Sequence, residues 1–136
     1  MSLARELLLA RVAAFRQRNF AYIYDTYHPE SFFLRQFPRR DEYLAFADEH
    51  LADRLQISSF EILREEMTEG QARIIYYQQL QIDGALQETI ECGRVLLENG
   101  VWLYHSSQKL LLDEISGDPR QVTFEDFDRV VDKIVF

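Results

Sequence analysis

Residues 71–107 read QARIIYYQQLQIDGALQETIECGRVLLENGVWLYHSS, three strand-like runs that are separated by two turn signals. The signals are Asp83-Gly84 and Asn99-Gly100. Such dipeptides are favoured in two-residue β-hairpins, because a type I′ turn needs a positive φ at both of its central positions. The stretch therefore predicts an antiparallel meander of three strands, around which the other elements are arranged.

Alternation along these runs assigns side chains to the two faces of the predicted sheet, because successive residues of a strand point in opposite directions. In the second run, Glu88 shares a side with Leu86, Ile90 and Cys92, so this carboxylate is expected to point inward. Gly93 predicts a bulge that bends the strand. In the first run, one side is apolar: Ala72, Ile74, Tyr76, Leu80 and Ile82. A bent sheet with one covered face is expected to enclose a small cavity.

The segment from Ser2 to Asn19 predicts an amphipathic helix. Leu8, Val12 and Phe15 recur at helical spacing and form its apolar stripe. The arginines of this segment, Arg11 among them, are expected to turn outward. The apolar stripe is expected to cover one face of the sheet.

Two further helices and one strand are expected before residue 71. Asn19 is a candidate cap for a short helix that ends before His28-Pro29, since the residue before a proline is driven out of the α region. Asp41 is expected to cap the next helix. Ile57–Met67 then predicts a first strand, which brings the sheet to about four strands.

The chain after the meander predicts one more helix. Thr123 and Asp126 have the spacing of a capping box, and an apolar helical stripe follows: Phe124, Phe127, Val131 and Ile134. We therefore expect a domain over residues 1–112 and a helical extension over residues 113–136 that packs on the same domain. Helices followed by hairpin-connected strands are typical of an α+β fold with the helices on one face of an antiparallel sheet.

Composition and charge narrow the class of protein. The 136 residues are 47% hydrophobic and 13% aromatic, which suits a single globular domain. The formal net charge of -8 disfavours nucleic-acid binding, because a phosphate backbone would be repelled. Cys92 is the only cysteine, so neither an internal disulfide nor a multi-cysteine metal site is expected, and no pattern calls for a cofactor. Without a signal-peptide pattern or a long apolar run, the sequence predicts a cytoplasmic protein that does not enter the membrane.

Two parts of the chain resemble the middle domain of the YchJ-like bacterial proteins. They are ARVAAF at residues 10–15 with YIYDTYHPES at residues 22–31, and IECGRVLLENGVWLY at residues 90–104. The resemblance extends from about Ala10 to Ser107, and its most specific pieces are the Thr26–Pro29 turn and the Glu98–Tyr104 hairpin. It implies the NTF2-like fold, a cone in which N-terminal helices pack on a curved antiparallel sheet.

The chain departs from this family in one respect. YchJ-like proteins usually carry cysteine-rich, metal-binding SEC-C segments beside the domain, whereas this chain has Cys92 alone. The resemblance therefore implies no zinc site here. It implies no catalytic residue either, because the NTF2-like fold serves enzymes, binding modules and assembly domains alike.

His28, Asp25 and Glu88 are the candidates for acid–base chemistry. A histidine titrates near neutral pH, and a carboxylate such as Asp25 or Glu88 would orient its ring. A carboxylate inside an apolar cone would have a raised pKa and would be able to exchange protons. The structural alternatives are that His28 bonds the corner between the helices and the sheet, and that Glu88 pairs with Arg94 or Arg73.

Aromatic residues supply candidate walls for a pocket in the cone. Tyr24, Trp102 and Tyr104 offer apolar area together with a hydrogen-bonding tip. With His28 and Glu88 as a polar floor, they form the predicted ligand-binding site. The alternative is that these aromatic residues are ordinary core.

Three functions fit this sequence. The first is binding of a small molecule in the cone, the second is catalysis of an isomerase, dehydratase or hydrolase kind in the same cavity, and the third is assembly without a ligand. A homodimer is expected, because the helices are able to cover only one face of an apolar sheet. A cavity with two titratable groups within hydrogen-bond reach would favour catalysis, and an apolar cavity without them would favour binding.

Overall fold

The structure is a computed structural model that describes residues 2–130 and 134–135. Its helices α1 to α4 span Leu3–Arg16, Phe20–Asp25, Phe32–Gln36 and Arg40–His50. Strands β1 to β4 follow at Leu55–Thr68, Gln71–Ile82, Ala85–Glu98 and Val101–Leu111. The C-terminal part contains 3-10 turns at Leu112–Glu114 and Pro119–Gln121, helix α5 at Phe124–Asp128 and strand β5 at Ile134–Val135. No helix in the described ranges is long and apolar enough to cross a membrane.

The strands form one antiparallel sheet in the order β1-β2-β3-β4-β5, so the predicted meander is confirmed. Both predicted hairpin turns have the positive φ angles of a type I′ turn. They are 51° and 84° at Asp83 and Gly84, and 51° and 80° at Asn99 and Gly100. Four N-terminal helices and four long strands make the α+β architecture that the sequence predicts, and β5 adds a two-residue edge strand.

Of the two caps predicted for the N-terminal helices, Asn19 is confirmed and Asp41 is not. The Ser2 hydroxyl accepts a hydrogen bond from the Arg5 N–H, and the Asn19 side chain accepts one from the Tyr22 N–H. Asp41 does not cap α4, because the cap position is Arg39, whose side chain makes no capping bond. Asp41 lies in the first turn instead, where its charge favours the helix dipole.

The sheet has a buried core on each face. On the face that we call the inner face, α1, α2 and α4 cover a cluster that includes Ala72, Ile74, Tyr76, Val95 and Tyr104. On the opposite, outer face, the C-terminal segment covers a second cluster that includes Ile75, Ile90, Cys92, Leu110 and Phe127. Both faces of the sheet therefore bury apolar side chains, and the helices are not its only cover.

The two faces of β3 are the reverse of the prediction. Glu91 and Gly93 lie on the inner face, against Tyr76 and Tyr104. Glu88 lies on the outer face with Tyr77, which packs against the outer cluster. The predicted alternation along the strand is confirmed, but both faces of the sheet are buried, so apolarity alone does not say which face meets the helices.

The C-terminal extension is less helical than predicted. The capping box of Thr123 and Asp126 is confirmed, and Phe127 is fully buried. Helix α5 ends at Asp128, however, and Ile134 lies in β5, where it pairs with Gln108 of β4. The expectation of one helix through Ile134 is therefore wrong, and Val131 of the predicted stripe lies outside the described residues.

Candidate functional site

A cavity of about 250 Å³ lies between α1 and the inner face of the sheet. Its apolar lining comes from α1, β1 and β2: Leu8, Val12, Phe15, Ile57, Phe60 and Leu80. Ile57, Phe60 and Lys109 of the lining are half-buried, so the cavity is open to solvent. A cavity of about 150 Å³ accommodates benzene, so this one has room for a small organic molecule.

Glu91 is a buried carboxylate in the cavity wall, with only 5% of its surface exposed. It accepts hydrogen bonds from the Tyr76 hydroxyl at 2.9 Å, the Thr89 hydroxyl at 2.9 Å, the Ser107 hydroxyl at 3.4 Å and the Gln78 amide. In the part of the chain that the structure describes, all of these partners are neutral. They supply the hydrogen bonds that a buried carboxylate requires in place of water.

Tyr76 and Tyr104 form a hydroxyl pair beside this carboxylate, with their oxygens 3.3 Å apart. Burial, reinforced by the negative charge of Glu91, raises the pKa of Tyr104 to about 12 and raises that of Tyr76 well above its ordinary value. Both phenols therefore stay neutral at physiological pH and act as hydrogen-bond donors.

Gly93 makes room for this tyrosine pair. A Cβ atom at Gly93 would lie 3.3 Å from the Tyr104 ring and 3.4 Å from the Tyr76 ring, closer than side chains normally approach. The bulge predicted at Gly93 lies elsewhere. The register shift follows Arg94 and leaves His105 of β4 as the extra residue, so the glycine serves close packing instead.

Arg11 is the second buried charge of the lining, also 5% exposed. Its Nη1 donates to the Ile23 carbonyl at 3.0 Å and to the Thr26 hydroxyl at 2.6 Å. Its guanidinium carbon lies 4.4 Å from the centroid of the Tyr27 ring and 4.5 Å from that of the Tyr104 ring. The expectation that Arg11 turns outward is therefore wrong, and no carboxylate in the described residues pairs with it.

Sequence reasoning missed both charged residues, although a signal existed for one of them. Arg11 lies three residues after Leu8 and four before Phe15, so helical spacing already places it on the apolar stripe. Glu91 carried no such signal, because its strand buries both faces. Strand alternation puts it on the side opposite Glu88, and that side was expected to face away from the cavity.

Tyr104 is the predicted site residue that lines this cavity. The corner after α2 is attached to the same residue, because the Tyr104 N–H donates to the Thr26 carbonyl and the His28 N–H donates to the Tyr104 carbonyl, both at 2.8 Å. This attachment joins the two most specific pieces of the sequence resemblance, the Thr26–Pro29 turn and the β3–β4 hairpin.

His28 is buried at that corner, away from the cavity lining. Its Nδ1 accepts the Glu30 N–H at 3.1 Å, so Nε2 carries the proton and donates to the Glu98 carboxylate at 3.0 Å. The His28 carbonyl accepts the Ser31 N–H at 3.0 Å. These contacts are those expected from the structural alternative, in which His28 holds the corner between the helices and the sheet by hydrogen bonds.

Asp25 and Glu88 do not bond to His28, and each has a partner of its own. Asp25 accepts two hydrogen bonds from the guanidinium of Arg40, at 2.9 and 3.0 Å. Glu88 accepts the Tyr77 hydroxyl at 2.8 Å on the outer face. Glu98, which holds His28, lies ten residues along β3 from Glu88, roughly 33 Å at the usual rise of a strand. The expected convergence of His28 and Glu88 is therefore wrong.

Tyr24 and Trp102 lie outside the cavity lining as well. The Tyr24 hydroxyl donates to the Phe37 carbonyl at 2.8 Å, and its ring packs against Tyr43 within an aromatic cluster of the helices. Trp102 lines a shallow apolar groove on the surface with Leu3 and Leu7 of α1. The observed lining therefore contains Arg11 and Glu91, which were not predicted, and lacks Tyr24 and Trp102, which were.

Comparison with known proteins places the chain in a family. Residues 3–107 match the family model described as YchJ, middle NTF2-like domain. The structure is similar to the solution structure of a SEC-C motif-containing protein from Rhodopseudomonas palustris, with a TM-score of 0.61 and 19% sequence identity over 79% of this chain and 80% of the other. No curated protein matches the chain. At this identity, the structural similarity supports the fold alone.

Proposed function

Because the chain belongs to the family of YchJ middle NTF2-like domains and carries a cavity with charged side chains in its wall, we propose that it binds a small molecule there. The observation that carries the proposal is the pair Arg11 and Glu91. Both are buried in the lining, and neither neutralises the other through an ion pair. Burying a charge costs several kcal/mol, so an apolar core would be the more stable filling if the space had only a structural role.

A blocking substitution tests this function. Ile57→Trp would place a large side chain in the lining, and Ile62→Trp is the matched control. Ile62 is on the same strand, is also half-buried and does not line the cavity. A library of small organic fragments is screened against the unchanged protein and both variants by ligand-observed NMR.

We expect the fragments that bind the unchanged protein to lose binding to Ile57→Trp and to retain it with Ile62→Trp. Complete absence of binders would overturn the proposal. Equal binding to all three proteins would also overturn it, because the fragments would then occupy some other surface.

A homodimer is a second proposal, supported by apolar surface beside the groove at Trp102. Leu3 is 64% exposed and Val101 is 55% exposed, and both line that groove with Leu7. Exposed apolar patches of this kind favour contact with a second protein surface. Light scattering at micromolar concentration is expected to give the mass of a dimer for the unchanged protein and the mass of a monomer for Val101→Glu. A monomer mass for the unchanged protein would exclude the homodimer.

We do not propose catalysis. The predicted acid–base residues lack a common site, and the titratable groups that do meet in the cavity wall, Glu91 and Tyr76, are hydrogen-bonded to each other, with burial raising the pKa of the Tyr76 phenol well above its ordinary value. His28, Asp25 and Glu88 bond to Glu98, Arg40 and Tyr77 respectively. A cytoplasmic location stays a prediction of the sequence.

A further inference from the structure

We propose that the ligand of the cavity is a small organic carboxylate, whose anionic group binds Arg11 while its apolar body lies against the α1 and β1 side of the wall. This inference rests on the proposed function and names the chemical class of the ligand. It rests on a difference between the two buried charged groups: the Arg11 guanidinium has unused hydrogen-bond donors, whereas both oxygens of the Glu91 carboxylate already accept hydrogen bonds.

Arg11 has hydrogen-bonding capacity that the protein does not use. Its Nη1 has two acceptors, whereas its Nε and Nη2 have none among the described residues. Every fully buried side-chain nitrogen in the described residues has a partner, so Nε and Nη2 are in contact with accessible space. Arg11 lines the cavity, and we infer that this space is the cavity. Two adjacent guanidinium donors match the two oxygens of a carboxylate.

Glu91, by contrast, is saturated. Four neutral donors already occupy its two oxygens, so a cationic ligand would have to compete with the bonds from Tyr76, Thr89, Gln78 and Ser107. The arrangement favours an anion over a cation as the group that a ligand brings into the cavity.

The charge of the lining points in the same direction. Lys109 lies across from Glu91 in the β3–β4 pairing and lines the cavity, yet it makes no ion pair with a described residue. With Arg11 and Lys109 against Glu91, the wall has a net positive charge in a chain whose formal net charge is -8. A local positive wall in an acidic protein concentrates small anions at that site.

The apolar wall and the volume restrict the anion to an organic one. Phe15, Phe60 and Leu80 offer no hydrogen bonds to an inorganic ion. A volume of about 250 Å³ exceeds the roughly 150 Å³ that holds benzene, which leaves room for one ring with a short chain. A ligand of this size places its acid on Arg11 and its ring on the apolar wall.

A matched series of ligands tests the inference. The probes are 3-phenylpropionate, 3-phenylpropan-1-ol and 3-phenylpropylamine, which share one body and differ in the charge of the end group. Dissociation constants are measured by ligand-observed NMR at pH 7.5 and low salt, with the full chain, Ile57→Trp and Ile62→Trp. We expect the acid to bind at least tenfold more tightly than the alcohol, the amine to bind most weakly, and Ile57→Trp to abolish binding.

Charge variants locate the anion. Arg11→Gln is expected to remove the preference for the acid, so that the acid and the alcohol bind with similar dissociation constants. Because Arg11 also bonds α2, this variant is first checked for folding, and Lys109→Gln serves as a second variant at a half-buried position. We expect Lys109→Gln to reduce the preference for the acid over the alcohol two- to fivefold.

The outcomes separate this inference from the proposed function. If fragments bind in a manner that Ile57→Trp abolishes, but the alcohol or the amine binds as tightly as the acid, the carboxylate inference is overturned and ligand binding stands. The same holds if a folded Arg11→Gln keeps the full preference for the acid. If neither the fragments nor any of the three probes bind, both proposals are overturned.

Discussion

Arg11 of α1 lies over the ring of Tyr104 in β4, with its guanidinium carbon 4.5 Å from the ring centroid. The two residues are far apart in sequence, and their contact joins the first helix to the strand that pairs with β3. A desolvated cation–π contact contributes about 2 kcal/mol. The same contact builds one wall of the cavity, so the packing of α1 on the sheet and the shape of the candidate site depend on each other.

Replacing the buried carboxylate is expected to destabilise the fold. In Glu91→Gln, the amide nitrogen would face the hydroxyl and amide donors that now bond to a carboxylate oxygen, and at least one of them would lose its acceptor. We expect a loss of about 1 to 3 kcal/mol in the free energy of unfolding, measured by urea denaturation. Glu88→Gln, the same change on the same strand at a half-buried position, serves as the control. Equal losses in the two variants would contradict the role assigned to Glu91.

The hairpin turns are expected to reject β-branched residues. Gly84 and Gly100 have φ angles of 84° and 80°, so valine at either position would be strained by about 1 to 3 kcal/mol. Ala85→Val, next to the first turn but within β3, has no such strain and is the control. Thermal midpoints of Gly84→Val and Gly100→Val that match the unchanged protein would show that the turns tolerate a side chain there.

Stability is expected to fall at alkaline pH. Burial raises the pKa of Tyr104 to about 12 and raises that of Tyr76, whereas an unfolded tyrosine titrates near 10. Above pH 10 the unfolded chain therefore releases protons that the folded protein retains, so this contribution is complete below about pH 10 and is lost as pH rises towards 12. Urea denaturation between pH 8 and 11.5 measures it. Tyr104→Phe should show a smaller decrease than Tyr22→Phe, and identical slopes would argue against the buried tyrosine pair.

The C-terminal segment is expected to be part of the folded domain. Val122 and Phe127 are buried against the outer face, so deletion of Gln121–Phe136 should expose that face and lower both stability and solubility. Phe127→Ala is the milder test, with an expected loss of about 3 to 5 kcal/mol. Hydrogen exchange of the intact protein supplies the complementary measurement. Fast exchange throughout α5 would mean that the segment does not pack on the sheet.

Most of the turns and helix starts of this protein follow from its sequence, because they depend on residues that are close together in the chain. The dipeptides Asp83-Gly84 and Asn99-Gly100 require the backbone angles of a hairpin, and a cap such as Asn19 bonds a backbone N–H only three residues away. From these signals follow the meander and the helix order. The family resemblance was carried by separate motifs, at residues 10–31 and 90–104, and the match over residues 3–107 confirms it.

The side chains that form the candidate site are brought together by contacts between distant parts of the chain. Strand alternation puts Glu88 and Glu91 on opposite faces of the sheet. The helices cover one face and the C-terminal segment covers the other, so hydrophobicity does not show which of the two faces borders the cavity. Arg11 is buried against the rings of Tyr27 and Tyr104, which come from distant parts of the chain. The cavity arises from these long-range contacts, and no local rule of sequence specifies which pairs of distant residues will touch.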